Sequence, residues 1–161
     1  MRTKEDLEEI SRQGSTFFGY VNIDLFRCPP FVMFMNNNDC PVCMSCMRAK
    51  SFEPLSMRVW CNLAKLATSA IDVGAQVGIY SLVAAALRPD MPIHAFEPNP
   101  DAFARLQVNI TANDVKNIHP HRLAVSYKQG VVDFEWVPKW LGLISSGGQL
   151  SNTDLPRPYA T

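Results

Sequence analysis

Two carboxylates and a glycine bend are the residues of this sequence whose types and spacing suggest chemistry. Asp72 lies two residues before Gly74 in Ser-Ala-Ile-Asp-Val-Gly-Ala-Gln-Val-Gly-Ile-Tyr-Ser-Leu, residues 69–82. Glu97 follows 25 residues after Asp72, in Phe96-Glu97-Pro98-Asn99-Pro100. Gly74 has no β-carbon, so the backbone there can take positive φ and a ligand can approach closely. Free N–H groups at the start of the helix after Gly78 would face that ligand. An acid at this spacing, after the second strand of a Rossmann-like unit, reaches a ribose diol. The pair reads as a nucleoside site. The dinucleotide fingerprint G-x-G-x-x-G is absent, because residues 74–78 read Gly-Ala-Gln-Val-Gly. A two-glycine turn preceded by an acid suits a nucleoside cofactor without a pyrophosphate. A turn that binds some other ligand, or none, is the alternative.

The elements that must position these groups follow from hydrophobic spacing. Ala70, Ile71 and Val73 form a short apolar run of the kind a parallel strand shows, and Ile79, Leu82, Val83 and Ala86 recur at helical spacing. Arg88-Pro89-Asp90 is a stop, and Ile93 to Phe96 is a second strand. Asn99 caps the next helix, with Pro100 and Asp101 in its first turn and Phe103, Leu106 and Ile110 as its buried stripe. Asn113-Asp114 closes that helix; His119 to Ser126 reads as a third strand and Val131 to Val137 as a fourth extended piece.

Upstream, Glu53-Pro54 opens a helix whose apolar face is Leu55, Val59, Leu63 and Leu66, flanked by Trp60. Thr16 to Phe26 and Phe31 to Met35 read as two antiparallel strands joined at Pro29-Pro30. Asn36 to Asp39 is a turn-and-cap cluster leading into a segment that ends near Lys50, and Thr3 to Gln13 is a short helix. The expected organisation is α/β: a β/α extension over 1–50, a Rossmann-like core over 51–142 and a loop-rich tail over 143–161.

Composition narrows the partners. The 161 residues carry 15 basic and 15 acidic side chains, so no net field points to nucleic acid or to an anionic membrane. No apolar stretch approaches the roughly 18 residues that cross a bilayer. Met-Arg-Thr-Lys-Glu-Asp at the start is unlike a secretory signal. Five cysteines, an odd number, argue against a disulfide framework and for a reducing cytoplasm.

Ile71-Asp72-Val73-Gly74-Ala75-Gln76-Val77-Gly78 resembles motif I of class I S-adenosylmethionine-dependent methyltransferases, and with Phe96-Glu97-Pro98-Asn99-Pro100 it resembles the FkbM family. Phe34 to Asp39, Phe52-Glu53-Pro54, Leu123-Ala124-Val125-Ser126 with Gly130, and Ser145-Ser146-Gly147 are similar to weaker marks of that family. The resemblance implies S-adenosyl-L-methionine as cofactor and methylation of a hydroxyl on a small molecule or sugar. It implies that Gly74, Ala75 and Gln76, in the turn closed by Gly78, pack against the methionine part. Asp72 would then help hold the ammonium group, Glu97 both ribose hydroxyls, and Pro98 and Asn99 the border of the adenine. Gln76 departs from the asparagine or histidine more usual in the family. The family's later strands, including a Lys-Ile-Asp-x-Glu-Gly-like segment, have no counterpart here. The sheet is therefore expected to be incomplete at its C-terminal side, leaving Ile71 and Val73 on a raw apolar edge. A fragment is the favoured account; a partner chain or cover by the N-terminal segments are the others.

An acceptor hydroxyl needs a base or a hydrogen-bond acceptor, and Glu53 is the candidate. The alternative for Glu53 is an acid favoured by a helix N-terminus; for Asp72 it is a turn stabiliser, and for Glu97 a solvated strand-end acid. His94, His119 and His121 read as a core group and as loop or strand-start residues. Cys40, Cys43 and Cys46 are spaced as an iron–sulfur run can be, but steps of three also make a buried helical stripe, which is the preferred reading, so no metal ligand is assigned. Two further functions stand beside methyl transfer: a catalytically silent nucleoside-binding subunit that needs a partner chain, and a small metal-binding module built on the cysteines.

Overall fold

A computed structural model describes residues 16–25, 27–128, 130–131, 134–136 and 148–150 of the chain. The helix expected over Thr3 to Gln13 lies outside the described residues. An antiparallel hairpin comes first, β1 (Phe18–Ile23) with β2 (Phe31–Asn36), followed by helices α1 (Pro41–Ala49) and α2 (Pro54–Leu66). A βαβαβ unit follows: β3 (Ala70–Val73), α3 (Ile79–Leu87), β4 (Ile93–Phe96), α4 (Pro100–Ala112) and β5 (Ile118–His121). Its three strands are parallel in the order β3-β4-β5, with Ala70 opposite Ile93 and Ile93 opposite Ile118. This is one half of a Rossmann-like sheet, and the chain is α/β as its alternating patterns predict. A short antiparallel pair, β6 (Phe134–Trp136) with β7 (Gly148–Leu150), completes the described elements.

Alternation along the hairpin places Phe17, Val21, Ile23 and Leu25 in the core together with Phe31, Met33 and Met35. The outer edge of β2 is covered by side chains of α4 rather than by another strand. Asn113 accepts from the Val32 N–H and donates to its carbonyl, both at 2.8 Å. One turn earlier, Asn109 accepts from the Phe34 N–H (2.8 Å), and Arg105 donates to the Phe34 carbonyl (2.9 Å). Arg105 also forks onto Asp39, at 3.2 and 3.0 Å, in a pair that is 5 % exposed on each side. Residues at i, i+4 and i+8 share one helix face, so a polar stripe can read alternate peptide groups of a strand. The stripe Arg105, Asn109 and Asn113 thus fastens the N-terminal hairpin to the βαβαβ unit and satisfies an edge that would otherwise pair elsewhere.

Among the described residues the sheet is covered on one face. Ala70, Ile93, Ala95 and Ile118 are buried on the side of α3 and α4, while Ile71 and Val73 are 64 % and 60 % exposed on the other. His94, Phe96, His119 and His121 share that second face by strand alternation. Among the described residues no strand pairs with the far edge of β3, as the expected incomplete sheet requires.

Three expectations are corrected. The apolar face of α2 points outward: Leu55, Val59, Leu63 and Leu66 are exposed, and Met57, Cys61 and Ala64 are the residues that pack inward. The third strand stops at His121 rather than Ser126, since β4, its partner in register, ends at Phe96. Residues 148–150, expected in a loop-rich tail, form β7 against β6. Among the described residues no helix is long and apolar enough to cross a membrane.

Candidate functional site

The glycine turn and the end of β4 are tied together by hydrogen bonds. The N–H groups of Gly74 and Ala75 both donate to the Phe96 carbonyl, at 2.9 and 3.0 Å, and the Gln76 N–H donates to Glu97 Oε2 at 2.8 Å. Gly78 N–H closes the turn onto the Ala75 carbonyl at 2.7 Å. These four turn donors are committed within the protein, and at the start of α3 the Ser81 N–H is committed to Asp72.

The two glycines serve different ends. Gly74 has φ +77, and a β-carbon added there would meet nothing within 4 Å, so its α-carbon faces open space. Gly78 has φ +92, and a β-carbon there would lie 2.5 Å from Leu106 Cδ1. Gly78 thus has a packing reason to be glycine, since it lets the turn close against α4. Ala75 is likewise buried in the core. Gln76 sits at φ +51, a backbone strain of the kind that gathers at functional sites.

Asp72 and Glu97 are both held by backbone groups. Asp72 Oδ2 accepts from the Ser81 N–H (3.1 Å) and the Ser81 hydroxyl (2.7 Å), in the first turn of α3. Asp72 Oδ2 thereby ties the end of β3 to the first turn of α3. Glu97 is 7 % exposed rather than solvated; Oε2 takes the Gln76 N–H and Oε1 the Asn99 N–H, at 2.8 Å each. A carboxylate has about four lone-pair sites, so two such bonds fix its orientation and leave capacity for hydroxyl donors. Burial pushes both carboxyls above their ordinary values, against the hydrogen bonds that lower them, and the Asp72 charge adds to the rise at Glu97. Asn99 caps α4, its side chain accepting from Asp101 and Ala102 N–H, while Pro98 between them is half-buried.

Glu53 lies on the other side of α3. Its backbone is left-handed at φ +40, just ahead of α2, and its Oε2 accepts the Tyr80 hydroxyl at 2.6 Å. Tyr80 is fixed by α2, whose Trp60 donates from Nε1 to the Tyr80 carbonyl (2.9 Å), and by edge-on contacts of its ring with Phe52 and Trp60. Burial, and then the bond to Glu53, pushes the Tyr80 phenol up to about 12. The phenol stays protonated at neutral pH and donates to Glu53. Tyr80 is the site residue that sequence reasoning missed; a polar-tipped ring two residues after Gly78 in an otherwise apolar helix was its signal. Its main-chain neighbour Ser81 is the residue bound to Asp72, so Glu53 and the glycine turn share one end of α3.

The remaining candidates fall elsewhere. His94 Nδ1 lies 3.0 Å from His121 Nε2, with the His119 ring 5.1 Å away, on the bare face of the sheet. Cys40, Cys43 and Cys46 are buried in the core, and burial pushes the Cys46 thiol up to about 11. Among the described residues no three His, Cys, Asp or Glu side chains are arranged to hold a metal ion.

No known family model and no curated protein sequence matches the chain. Similar folds occur among solved structures. One is the precorrin-6y C5,15-methyltransferase of Geobacter metallireducens GS-15, at 20 % identity and a TM-score of 0.39, matching 45 % of this chain and 40 % of that one. Another is a SAM-dependent methyltransferase of Agrobacterium tumefaciens, at 14 % and 0.46, covering 68 % of this chain and 34 % of its own. A third is P. horikoshii TYW2 in complex with MeSAdo, at 17 % and 0.47, covering 73 % and 46 %. The chain spans less than half the length of each of these proteins.

Proposed function

We propose that this chain is the cofactor-binding part of an S-adenosylmethionine-dependent methyltransferase of the FkbM type, acting on a hydroxyl of a small molecule or sugar. The observation that carries this reading is the bond between Glu97 and the Gln76 N–H, which sets a buried carboxylate beside a glycine turn whose Gly74 faces open space. Glu97 accepts the ribose hydroxyls, Asp72 faces the ammonium group through its second oxygen, and Gly74 and Gln76 border the methionine part. Ala75 supports the turn from the core, and Pro98 and Asn99 border the adenine. S-adenosylmethionine supplies, when bound, a sulfonium methyl: the acceptor oxygen forms the new C–O bond with its electron pair, and the C–S pair passes to sulfur, leaving S-adenosylhomocysteine. Glu53 receives the acceptor's proton on its carboxylate, and Tyr80 holds that carboxylate in place. Much of the rate then comes from positioning.

The balanced charge supports a small-molecule acceptor rather than a nucleic acid, and the five cysteines support a reducing, cytoplasmic setting. The unpaired edge of β3 among the described residues favours a companion to this reading, in which further polypeptide pairs along β3 to complete the sheet. Calorimetric titration with S-adenosylhomocysteine tests the proposal: wild type binds with one site and Glu97→Ala loses that heat. No heat with folded wild type would overturn it.

A further inference from the structure

Cys40 and Cys43 are the two ends of one capping contact. Cys40 is the N-cap of α1, and its sulfur accepts the Cys43 N–H at 3.4 Å. Pro41 and Val42 lie between them, so the pair is a C-x-x-C at the start of a 9-residue helix, whose positive end favours a thiolate. The Arg105 guanidinium, forked onto the neighbouring Asp39, brings a second positive charge to this sulfur.

All five cysteines are described and buried, yet they differ. Cys40 alone is held below its ordinary value: the Cys43 thiol bonded to it lowers it most, and the Cys43 N–H and Arg105 add to this, against burial and the Asp39 charge. The same bond to Cys40, and burial, push Cys43 up. Burial pushes Cys28 up to about 12 and Cys46 up to about 11, and it raises Cys61 as well. Reach also singles out this pair. Residues three apart in a helix hold their β-carbons about 5–6 Å apart, and a disulfide needs about 3.5–4.5 Å. The extended backbone of Cys40, φ −110 and ψ 102, can close that gap. Cys43 and Cys46 have the same spacing, but both lie inside the helix, which keeps them apart.

We infer that Cys40 and Cys43 form an oxidisable dithiol, in which Cys40 attacks hydrogen peroxide and Cys43 resolves the product to a disulfide. The Cys40 thiolate attacks one peroxide oxygen and breaks the O–O bond. Its sulfur is oxidised to a sulfenic acid, and the hydroxide released takes up a proton as water. Cys43 then gives up its proton, its sulfur bonds to Cys40, and the sulfenic oxygen leaves as a second water. Cys40 and Cys43 are 1 % and 0 % exposed, so the oxidant arrives as this end of α1 opens beside the exposed Asn37 and Pro41. Such a passage favours a reagent near the size of water over a bulky disulfide. The inference stands whether or not the chain binds S-adenosylmethionine.

The test treats the reduced, folded full chain with hydrogen peroxide, then alkylates the remaining thiols and maps them by fragmentation mass spectrometry. One disulfide forms between Cys40 and Cys43, dithiothreitol reverses it, and Cys28, Cys46 and Cys61 stay open to alkylation after unfolding. In Cys43→Ala the reaction stops at a Cys40 sulfenic acid, which dimedone traps. In Cys40→Ala thiol loss slows about tenfold or more, the change expected when the thiolate-bearing partner is removed. Cys46→Ala still forms the disulfide. If the variants at 40 and 43 fail to fold, the wild-type map with Cys46→Ala decides. No disulfide in the folded chain, a disulfide shared equally with Cys46, or a rate unchanged in folded Cys40→Ala would overturn the inference.

Discussion

Glu97 Oε2 lies 2.8 Å from the backbone nitrogen of Gln76, so the carboxylate at the end of β4 holds the turn that follows β3. Its other oxygen, at 2.8 Å from the Asn99 nitrogen, fixes the start of α4. One buried acid thereby sets the positions of both loops at the C-terminal end of the sheet, the end at which ligands of open α/β sheets bind.

Replacing that acid separates its two duties. Glu97→Gln keeps one accepting oxygen but turns an amide NH2 toward a second N–H, leaving a buried donor without a partner at a cost of about 1–3 kcal/mol. Glu97→Ala strands both donors and costs about twice that. Urea denaturation of the two variants checks the order: wild type, then Gln, then Ala.

Burial raises Asp72 above its ordinary 3.8 and Glu97 above its ordinary 4.5. A carboxyl whose folded pKa is raised contributes stability that is full below its unfolded value and is lost as pH rises through the folded one. Asp72→Asn keeps an oxygen for Ser81 and removes the buried charge. Measured from pH 3.5 to pH 7, the stability of Asp72→Asn relative to wild type should rise with pH, and its affinity for S-adenosylhomocysteine should fall. A ratio that stays flat would contradict the burial argument.

The two glycines should respond unequally to alanine. Gly74→Ala meets no neighbour, so only the left-handed backbone is charged, about 1–2 kcal/mol. Gly78→Ala carries the same strain and must also displace Leu106, adding about 1–3 kcal/mol. Thermal melts of both variants, with Leu106→Ala added to Gly78→Ala as a partial relief, measure the difference.

Arg105→Ala leaves Asp39 buried and unpaired and removes the donor to the Phe34 carbonyl. Breaking such a pair costs about 3–5 kcal/mol. Because the pair joins the hairpin to α4, hydrogen exchange should speed first in β1 and β2 and only later in β4.

The exposed face of the sheet makes a prediction of its own. Ile71→Thr/Val73→Thr removes exposed apolar surface without touching the turn, so sedimentation should show less self-association than wild type at equal concentration, with S-adenosylhomocysteine affinity retained.

How much of this was legible beforehand depended on how local the determinant was. The βαβ order and the Asn99 cap were readable, because each rests on spacing within one or two elements. The outward face of α2 was not: Leu55, Val59, Leu63 and Leu66 form a regular apolar stripe, yet α3 takes up Trp60 of that helix and its core residues are Met57, Cys61 and Ala64. The packing reason for Gly78 was hidden, because Leu106 lies 28 residues away. The Arg105, Asn109 and Asn113 stripe was invisible for the same cause, since its partners are on β2, more than 70 residues earlier.

The central claim is tested most directly by an amide-resolved NMR titration of the full chain with S-adenosylhomocysteine. The account predicts saturable shifts at Gly74, Gln76 and Asn99, the residues around the Glu97 carboxylate, with Ser51 and Phe52 little changed. A well-folded spectrum that stays still at those three amides, or that moves elsewhere instead, would contradict it.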